Sequence, residues 1–345
     1  MKDISVIIVN YKGGDKLKRC LQSLQDIADS RFSFEVIIVD NKSNTGRKAE
    51  FLALFPQFTF IPNTGNNGFA NGCNLGVSYS NGTNLLFLNP DTNVNADALF
   101  DMLEEIRVRP EYSIVTCSQV RENGSKDRPY GQFLTIFTLT GWLRAIRNVF
   151  AGSLEKTVDQ TMHYVYPDWV SGSVLMIRKD SFLRLGKWDD DFWMYYEDVD
   201  LCRRAKLMQG EIVKLKSAEV GHLHGGSSRL NKEITVMTKT EVHVSRHVYI
   251  AKHEKADHAA FMHLILILNN LVLKLPSAIL GTILFFIPHC NICAITYIKL
   301  ARYYLNVLRT GIWISPRSVN YSAWEQASVR CIAYSEFEEA FPMEW

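Results

Sequence analysis

The sequence has no excess charge of either sign. Its 38 basic and 36 acidic residues leave +2 over 345 residues, which argues against a nucleic-acid-binding protein, whose footprint is a strong basic field. It also has no regular cysteine framework. The seven cysteines are an odd set scattered through strand-like and helix-like segments, which points to reduced thiols in a cytosolic compartment. The close pair Cys290-Asn-Ile-Cys293 lies in an apolar run with no second pair beside it, so packing explains it better than zinc or redox chemistry. Met1-Lys2-Asp3 leads straight into a β-type run without an apolar h-region or cleavage site, so no secretory signal is expected. After that run comes Asn10-Tyr-Lys-Gly-Gly14, with no G-x-G-x-x-G, which counts against a dinucleotide-binding oxidoreductase.

With 47% hydrophobic residues the chain can bury a sizeable core, and its length suits one large domain or a domain with an appendage. Ile4-Ser-Val-Ile-Ile-Val-Asn10 and Phe34-Glu-Val-Ile-Ile-Val-Asp40 are almost wholly apolar, as strands covered on both faces should be. Between them Leu17, Cys20, Leu21 and Leu24 recur at helical spacing, so the opening reads as a βαβ unit. Further strands are predicted at 59–61, 84–88, 113–116, 169–177 and 212–215, with a helix over 96–107. The sum is an α/β sandwich with a mostly parallel sheet. Ligands in such sheets bind beyond the carboxyl ends of the strands, and three of these end in polar residues: Asn10, Asp40-Asn41 and Asn89-Pro90-Asp91. The segment from Arg121 to Tyr166 is less regular and is expected to be an excursion that shapes a substrate pocket.

Composition shifts after about His253. No Asp, Glu, Lys or Arg occurs between Lys274 and Lys299, nor from Phe261 to Leu273. The interval 275–298 has the length of a membrane span, about 20 residues, but Pro276, Pro288, His289 and Asn291 interrupt it. Lys299, Arg302, Tyr303, Tyr304 and Arg309 then follow on a helical pattern, the mixture expected at a lipid headgroup boundary. The first reading is peripheral or monotopic membrane association, with a span, a core or an oligomer interface as alternatives.

Several segments carry chemistry. Asp40 ends a buried strand, where a carboxylate can accept from a ribose or a uracil or thymine N–H. The glycine- and asparagine-rich run from Asn63 to Gly76 allows close backbone approach to a ligand and opens a helix whose free N–H groups suit phosphate. Asn89-Pro-Asp91 suits a divalent ion against a diphosphate. From Asp189 to Asp200 six acids alternate with Phe192, Trp193, Tyr195 and Tyr196, the combination of carboxylates and flat apolar faces that a sugar site needs. A helix start followed by Arg203, Arg204 and Lys206 is the competing explanation, and it accounts for Asp200 by itself.

The ordered set Val9-Asn-Tyr11, Val39-Asp-Asn41, Gly65-Asn-Asn-Gly-Phe-Ala70, Leu88-Asn-Pro-Asp-Thr92, Gly172-Ser173, Tyr196-Glu-Asp-Val-Asp-Leu201 and His222-Leu-His-Gly-Gly-Ser227 resembles family 2 glycosyltransferases, especially their rhamnosyltransferase-like branch. The resemblance covers roughly residues 1 to 250. It implies a GT-A fold over 1–253, ahead of a helical, membrane-associated region at 254–345. It also implies a nucleoside-diphosphate sugar donor such as dTDP-rhamnose or another UDP or dTDP sugar, inversion at the anomeric carbon, and usually a divalent metal, Mn²⁺ or Mg²⁺. Under it Asp198 is the general base and Glu197 an orienting or acceptor-binding partner. The expected donor contacts are Asn10, Asp40, Asn67, Gly68, Asn71, Asn89 and Asp91. The expected acceptor contacts are Trp169, Gly172, Trp193 and Glu197. Asp91, His222 and His224 are the expected metal ligands. One departure stands out: the first position of the DxD motif is Asn89, and an amide is a weaker ligand than a carboxylate. The apolar C-terminal region suggests a lipid-linked saccharide acceptor at the cytoplasmic side of a membrane, with homo-oligomer formation a further expectation. The rival of another class is a sugar-nucleotide or glycan binder that has lost activity.

Overall fold

The computed structural model describes residues 1–43, 46–151, 163–222 and 231–326. The chain divides into two compact units. One comprises Met1–Thr138, Trp142–Asp189 and Glu197–Leu230, and the other Leu139–Gly141, Asp190–Tyr196 and Asn231–Trp345.

The first unit is an α/β sandwich. Strands β1 (Lys2–Asn10), β2 (Phe34–Asp40), β3 (Thr59–Pro62) and β4 (Gly82–Leu88) alternate with helices α1 (Gly14–Gln25), α2 (Lys48–Leu54) and α3 (Gly68–Ser78). A short β5 (Thr92–Asn93), α4 (Ala96–Val108) and β6 (Tyr112–Val120) follow. The irregular stretch from Arg121 to Tyr166 holds β7 (Tyr130–Gly131), α5 (Gly141–Ala151) and β8 (Tyr164–Val165). The unit closes with β9 (Trp169–Val170), β10 (Val174–Arg178), α6 (Lys179–Arg184), α7 (Glu197–Leu207) and β11 (Glu211–His222). The main sheet has the order β3-β2-β1-β4-β10-β6-β11-β5, with β8 on β11. The pairs β3-β2, β2-β1, β1-β4 and β6-β11 are parallel, whereas β10 runs antiparallel to both its neighbours.

Side chains alternate across each strand, so the sheet has two cores. Ile4, Val6 and Ile8 pack with Leu17, Cys20, Leu21 and Leu24 of α1 and with Leu99, Met102, Leu103 and Ile106 of α4. Ile7 and Val9 face the other way, onto Ala70, Cys73 and Val77 of α3 and Leu201, Cys202 and Ala205 of α7. Two glycines let α3 lie against the sheet: a Cβ on Gly72 would meet Val9 Cγ1 at 2.8 Å, and one on Gly76 would meet Ile7 Cγ2 at 2.6 Å. These glycines serve helix-to-strand packing.

The segment 169–177, which reads as one strand, is two. Trp169–Val170 pairs with β7 in a separate ribbon, then Ser171-Gly-Ser173 crosses over, and Val174 enters the main sheet opposite Leu88. The mark of the crossover in the sequence is Ser171-Gly-Ser173, small turn-type residues that interrupt the apolar run. The strand predicted at 212–215 continues to His222, with a register irregularity between Lys214 and Glu219.

The second unit is helical: α8 (Lys232–His253), α9 (Ala256–Ile267), a π-helical turn (Leu268–Leu273), α10 (Leu275–Ile283) and α11 (Pro288–Thr310). The composition shift near His253 falls at the end of α8, inside this unit. The strap Asp190–Tyr196 also belongs here. Lys252 contacts Asp191 at 2.5 Å, Ser245 donates to the Met194 carbonyl at 2.7 Å, and the Arg317 guanidinium lies 5.3 Å over the Trp193 ring. Tyr195 and Tyr196 both adopt left-handed backbone, φ 70° and 67°, which non-glycine residues rarely adopt.

Candidate active site

The polar ends of the parallel strands meet as their register requires. Asn10 lies opposite Asp40, and its Nδ2 donates to Asp40 Oδ1 at 2.8 Å and to Ser43 Oγ at 3.1 Å. Ser43 donates its amide to Asp40 Oδ2 at 3.2 Å and its hydroxyl to Oδ1. Asp40 is thus held by neighbours but remains half-buried. A second cluster is built of amides. Asn41 Nδ2 donates to the Gly68 carbonyl at 2.8 Å, and Asn63 Nδ2 donates to Asn41 Oδ1 at 2.9 Å and to Asn71 Oδ1 at 3.2 Å. Asn67 donates to Asn63 Oδ1 at 3.2 Å. This chain fixes the first turn of α3, where Gly68 has φ +92°, a conformation that favours glycine. Ser43, the strand-end Asn41 and Asn63 join the expected donor contacts in these clusters. Their signal was present, because each follows a strand end directly or within three residues.

Asp91 and His222 meet because β5 pairs antiparallel with β11, placing His222 opposite Thr92. Both are buried, with His222 Nε2 at 3.3 Å from Asp91 Oδ1. Gln119, fully buried on β6, bonds Ser173 Oγ through both amide atoms, Nε2 at 2.8 Å and Oε1 at 3.1 Å, and its Oε1 also lies 2.7 Å from His222 Nδ1. With Nδ1 donating to that oxygen, the Nε2 lone pair of His222 faces the Asp91 carboxylate. Two acceptors in this relation fit a shared cation, and the nitrogen and oxygen donor set suits a divalent metal. Among the described residues no third His, Cys, Asp or Glu joins them. His224 lies outside the described residues. Asn89 is half-buried, and its backbone N–H donates to the Ser173 carbonyl at 2.9 Å.

Because β10 is antiparallel, its beginning lies at the same end of the sheet as the ends of the parallel strands. The crossover Ser171–Ser173 therefore borders the crevice, and through it the acidic motif is reached. The Gly172 amide donates to Asp198 Oδ2 at 3.1 Å, and the Val199 amide to Oδ1 at 2.9 Å. Burial raises the Asp198 pKa despite these bonds. Glu197, at the start of α7, is buried, and among the described residues one of its carboxyl oxygens has no hydrogen-bond partner. Burial and then the charge of Asp198 push its pKa well above the usual carboxylate range. Asp200 is paired with Arg204 at 2.5 Å one turn later, which accounts for it structurally.

The predicted aromatic platforms fare differently. Trp169 is half-buried, its indole N–H donating to the Gln132 carbonyl at 2.8 Å. Trp193 is 1% exposed within the helical unit, so its faces are used in packing. Burial there satisfies its ring, which sequence cannot distinguish from a sugar platform.

Residues 5–168 match the model of glycosyl transferase family 2. That segment, just under half of the chain, is similar to family 2 glycosyltransferases. The chain is 28% identical over 215 residues to the low-salt glycan biosynthesis hexosyltransferase of Haloferax volcanii, an alignment covering 60% of this chain and 62% of that protein. It is 26% identical over 215 residues to the rhamnosyltransferase WbbL of Escherichia coli K12, covering 59% and 77%. It is 24% identical over 235 residues to the N-acetylglucosaminyl-diphospho-decaprenol L-rhamnosyltransferase of Mycobacterium tuberculosis, covering 64% and 75%. A solved structure of GalNAc-T7 with UDP, GalNAc and Mn²⁺ superimposes at a TM-score of 0.51 with 14% identity, covering 73% of this chain and 51% of that one. The match thus spans less than two thirds of the haloarchaeal relative and about half of GalNAc-T7. The first unit has a GT-A-like fold, as the motifs imply.

Proposed function

We propose that the protein transfers a sugar, with inversion, from a nucleoside-diphosphate donor to a hydroxyl of a saccharide acceptor in cell-surface polysaccharide assembly. The donor class is dTDP-rhamnose or another UDP or dTDP sugar. The observation that carries this reading is Asp198, a carboxylate of raised pKa held by the Gly172 amide on a crossover whose next residue, Ser173, leads through Gln119 to His222 and Asp91.

Asp198 accepts the proton of the acceptor hydroxyl as its oxygen attacks the anomeric carbon, and the bond to the diphosphate breaks on the opposite face. Glu197 carries its own proton at that stage and offers it to an acceptor or substrate oxygen as a hydrogen-bond donor. Asn10 and Asp40 hold the nucleoside end, and the first turn of α3 faces the phosphates with its free N–H groups. A divalent ion held by Asp91 and His222 would neutralise charge on the diphosphate. The relative named for N-acetylglucosaminyl-diphospho-decaprenol supports a lipid-linked acceptor, and the apolar helical unit supports work at the cytoplasmic face of a membrane as a peripheral or monotopic protein.

The test is a donor screen on the purified chain, with and without Mn²⁺ or Mg²⁺, reading nucleotide release and product anomeric configuration. Turnover of one nucleotide sugar with an inverted product is expected. Tight nucleotide binding without turnover of any donor would make the protein a binder instead.

A further inference from the structure

The helical unit contains a stretch, Ala256–Ile283, of 28 helical residues with mean hydropathy 1.8 in its most apolar window, of which only 22% is buried. A soluble core helix would be mostly buried. On α10 only Ala278 and Gly281 are buried, while Leu275, Ile279, Leu280 and Ile283 are exposed on the remaining faces. The buried seam is where α10 meets α11: a Cβ on Gly281 would collide with the Cys290 carbonyl and lie 3.2 Å from Ala294 Cβ. Small residues at the crossing let the two backbones approach closely. The helices are joined by the turn Leu284–Ile287, where Phe285 and Phe286 are 67% and 68% exposed, the reverse of where aromatic side chains settle in water.

Length decides the depth. The nine residues of α10 rise about 14 Å, and the uncharged start of α11, residues 288–298, about 16 Å. Each is about half of a hydrocarbon core roughly 30 Å thick. The chain turns back at Pro288, and the first charges on either side, Lys274 and Lys299, sit at the open end of the hairpin. Lys274 is tied to His243 of α8 and to Asn270, each at 2.9 Å, so the longer stretch is anchored in the unit before α10 begins. Outside one seam the exposed side chains of α10 are apolar except Ser277 and Thr282, whose hydroxyls donate back to the Lys274 and Ala278 carbonyls, and His289 is the exposed polar residue just past the turn; this is the pattern of a helix in lipid, whereas a protein partner would need one stripe.

We propose that α10, the turn and the start of α11 form a re-entrant hairpin that enters one leaflet of a bilayer with Phe285 and Phe286 deepest, and returns Lys299 and Arg302 to the headgroup plane it came from. This rests on the membrane association proposed above and specifies its element and depth.

The test is flotation of the full chain with vesicles of phosphatidylcholine containing a minor fraction of phosphatidylglycerol. The wild type floats, and the double variant Phe285→Ser/Phe286→Ser, which keeps donor turnover, partitions about 100-fold more weakly. In a Phe286→Trp variant, the fluorescence added over the parent is quenched by lipids brominated on the acyl chain and untouched by iodide trapped inside the vesicles. Equal flotation of the double variant would overturn the hairpin and leave membrane association standing. Failure of the wild type to float would overturn both, with donor turnover still judging the transfer reading. Quenching by trapped iodide would show a full span and overturn the re-entrant path. A dimer lost in the double variant while flotation persists would reassign the tip to contact with a second copy.

Discussion

The Gly172 amide points at Asp198 Oδ2 across 3.1 Å, while the Val199 amide takes the other oxygen at 2.9 Å. The proposed base is therefore oriented before an acceptor arrives. Asp198→Asn keeps the shape and removes the basicity, so transfer should fall about 10²–10⁴-fold with donor affinity unchanged by calorimetric titration. Only the ionised form accepts a proton, and burial raises its pKa, so kcat/KM should climb with pH through a limb above the ordinary carboxylate range. The Asn variant should lack that limb.

Glu197 is pushed up both by burial and by its neighbour's charge. It therefore keeps its proton while Asp198 ionises. Glu197→Gln, which fixes a neutral group of the same shape, should leave the acid limb of the pH profile where it was. Glu197→Asp shortens the side chain and should raise acceptor KM. A large displacement of the limb in the Gln variant would show that Glu197 is ionised in the working enzyme.

Gln119 holds the Nδ1 side of His222 at 2.7 Å and touches no substrate in the proposed reaction. Removing such a support usually costs about 10–100-fold in metal affinity. Gln119→Leu should raise by that factor the Mn²⁺ concentration giving half-maximal transfer, with kcat at saturating Mn²⁺ largely retained. Asp91→Asn should lose the response to metal altogether.

Gly76→Ala forces a methyl to 2.6 Å from Ile7 Cγ2 and 3.2 Å from Val39 Cγ2. Over-packing of this kind costs about 1–3 kcal/mol, which denaturant unfolding of the full chain will read. Because α3 must then shift, nucleotide affinity should fall with stability.

In the helical unit Glu241 is buried, its pKa raised from 4.5 to about 7 by desolvation, with Ser315, Arg317 and Lys299 partly opposing. The folded state holds this proton more tightly than the unfolded chain. Its contribution is complete below pH 4.5, shrinks as pH rises, and is gone above pH 7. Glu241→Gln should therefore raise the thermal midpoint at pH 8 and change it little at pH 4.5, as differential scanning fluorimetry at the two pH values would show.

Asn10 and Asp40 were legible because buried parallel strands announce their ends by the first polar residue, and register then forces those residues together. The carboxylates proposed for catalysis, at 197 and 198, stand out in the sequence through their motif. Gln119 was not, because a polar residue late in a strand acquires meaning only when β11 brings His222 beside it. Trp193 misled for a related reason. Its acidic and aromatic neighbours suit a sugar pocket, and only the tertiary fold buries the ring and sets the Arg317 guanidinium over it. The direction of β10 was equally silent, since Val174–Ile177 is a short continuous apolar run buried on both faces, which reads the same whichever way it lies.

The central position of β10 has a consequence for how the molecule assembles during synthesis. Val174–Arg178 is inserted between β4 and β6, although both of those strands leave the ribosome first. Until about residue 178 has emerged, the first four strands and β6 are separate pieces with an unfilled slot between them. A nascent chain arrested before that point should be able to gather its nucleoside-contacting strand ends, but with Leu86, Phe87 and Leu88 of β4 open along one edge it would be prone to pairing with other chains.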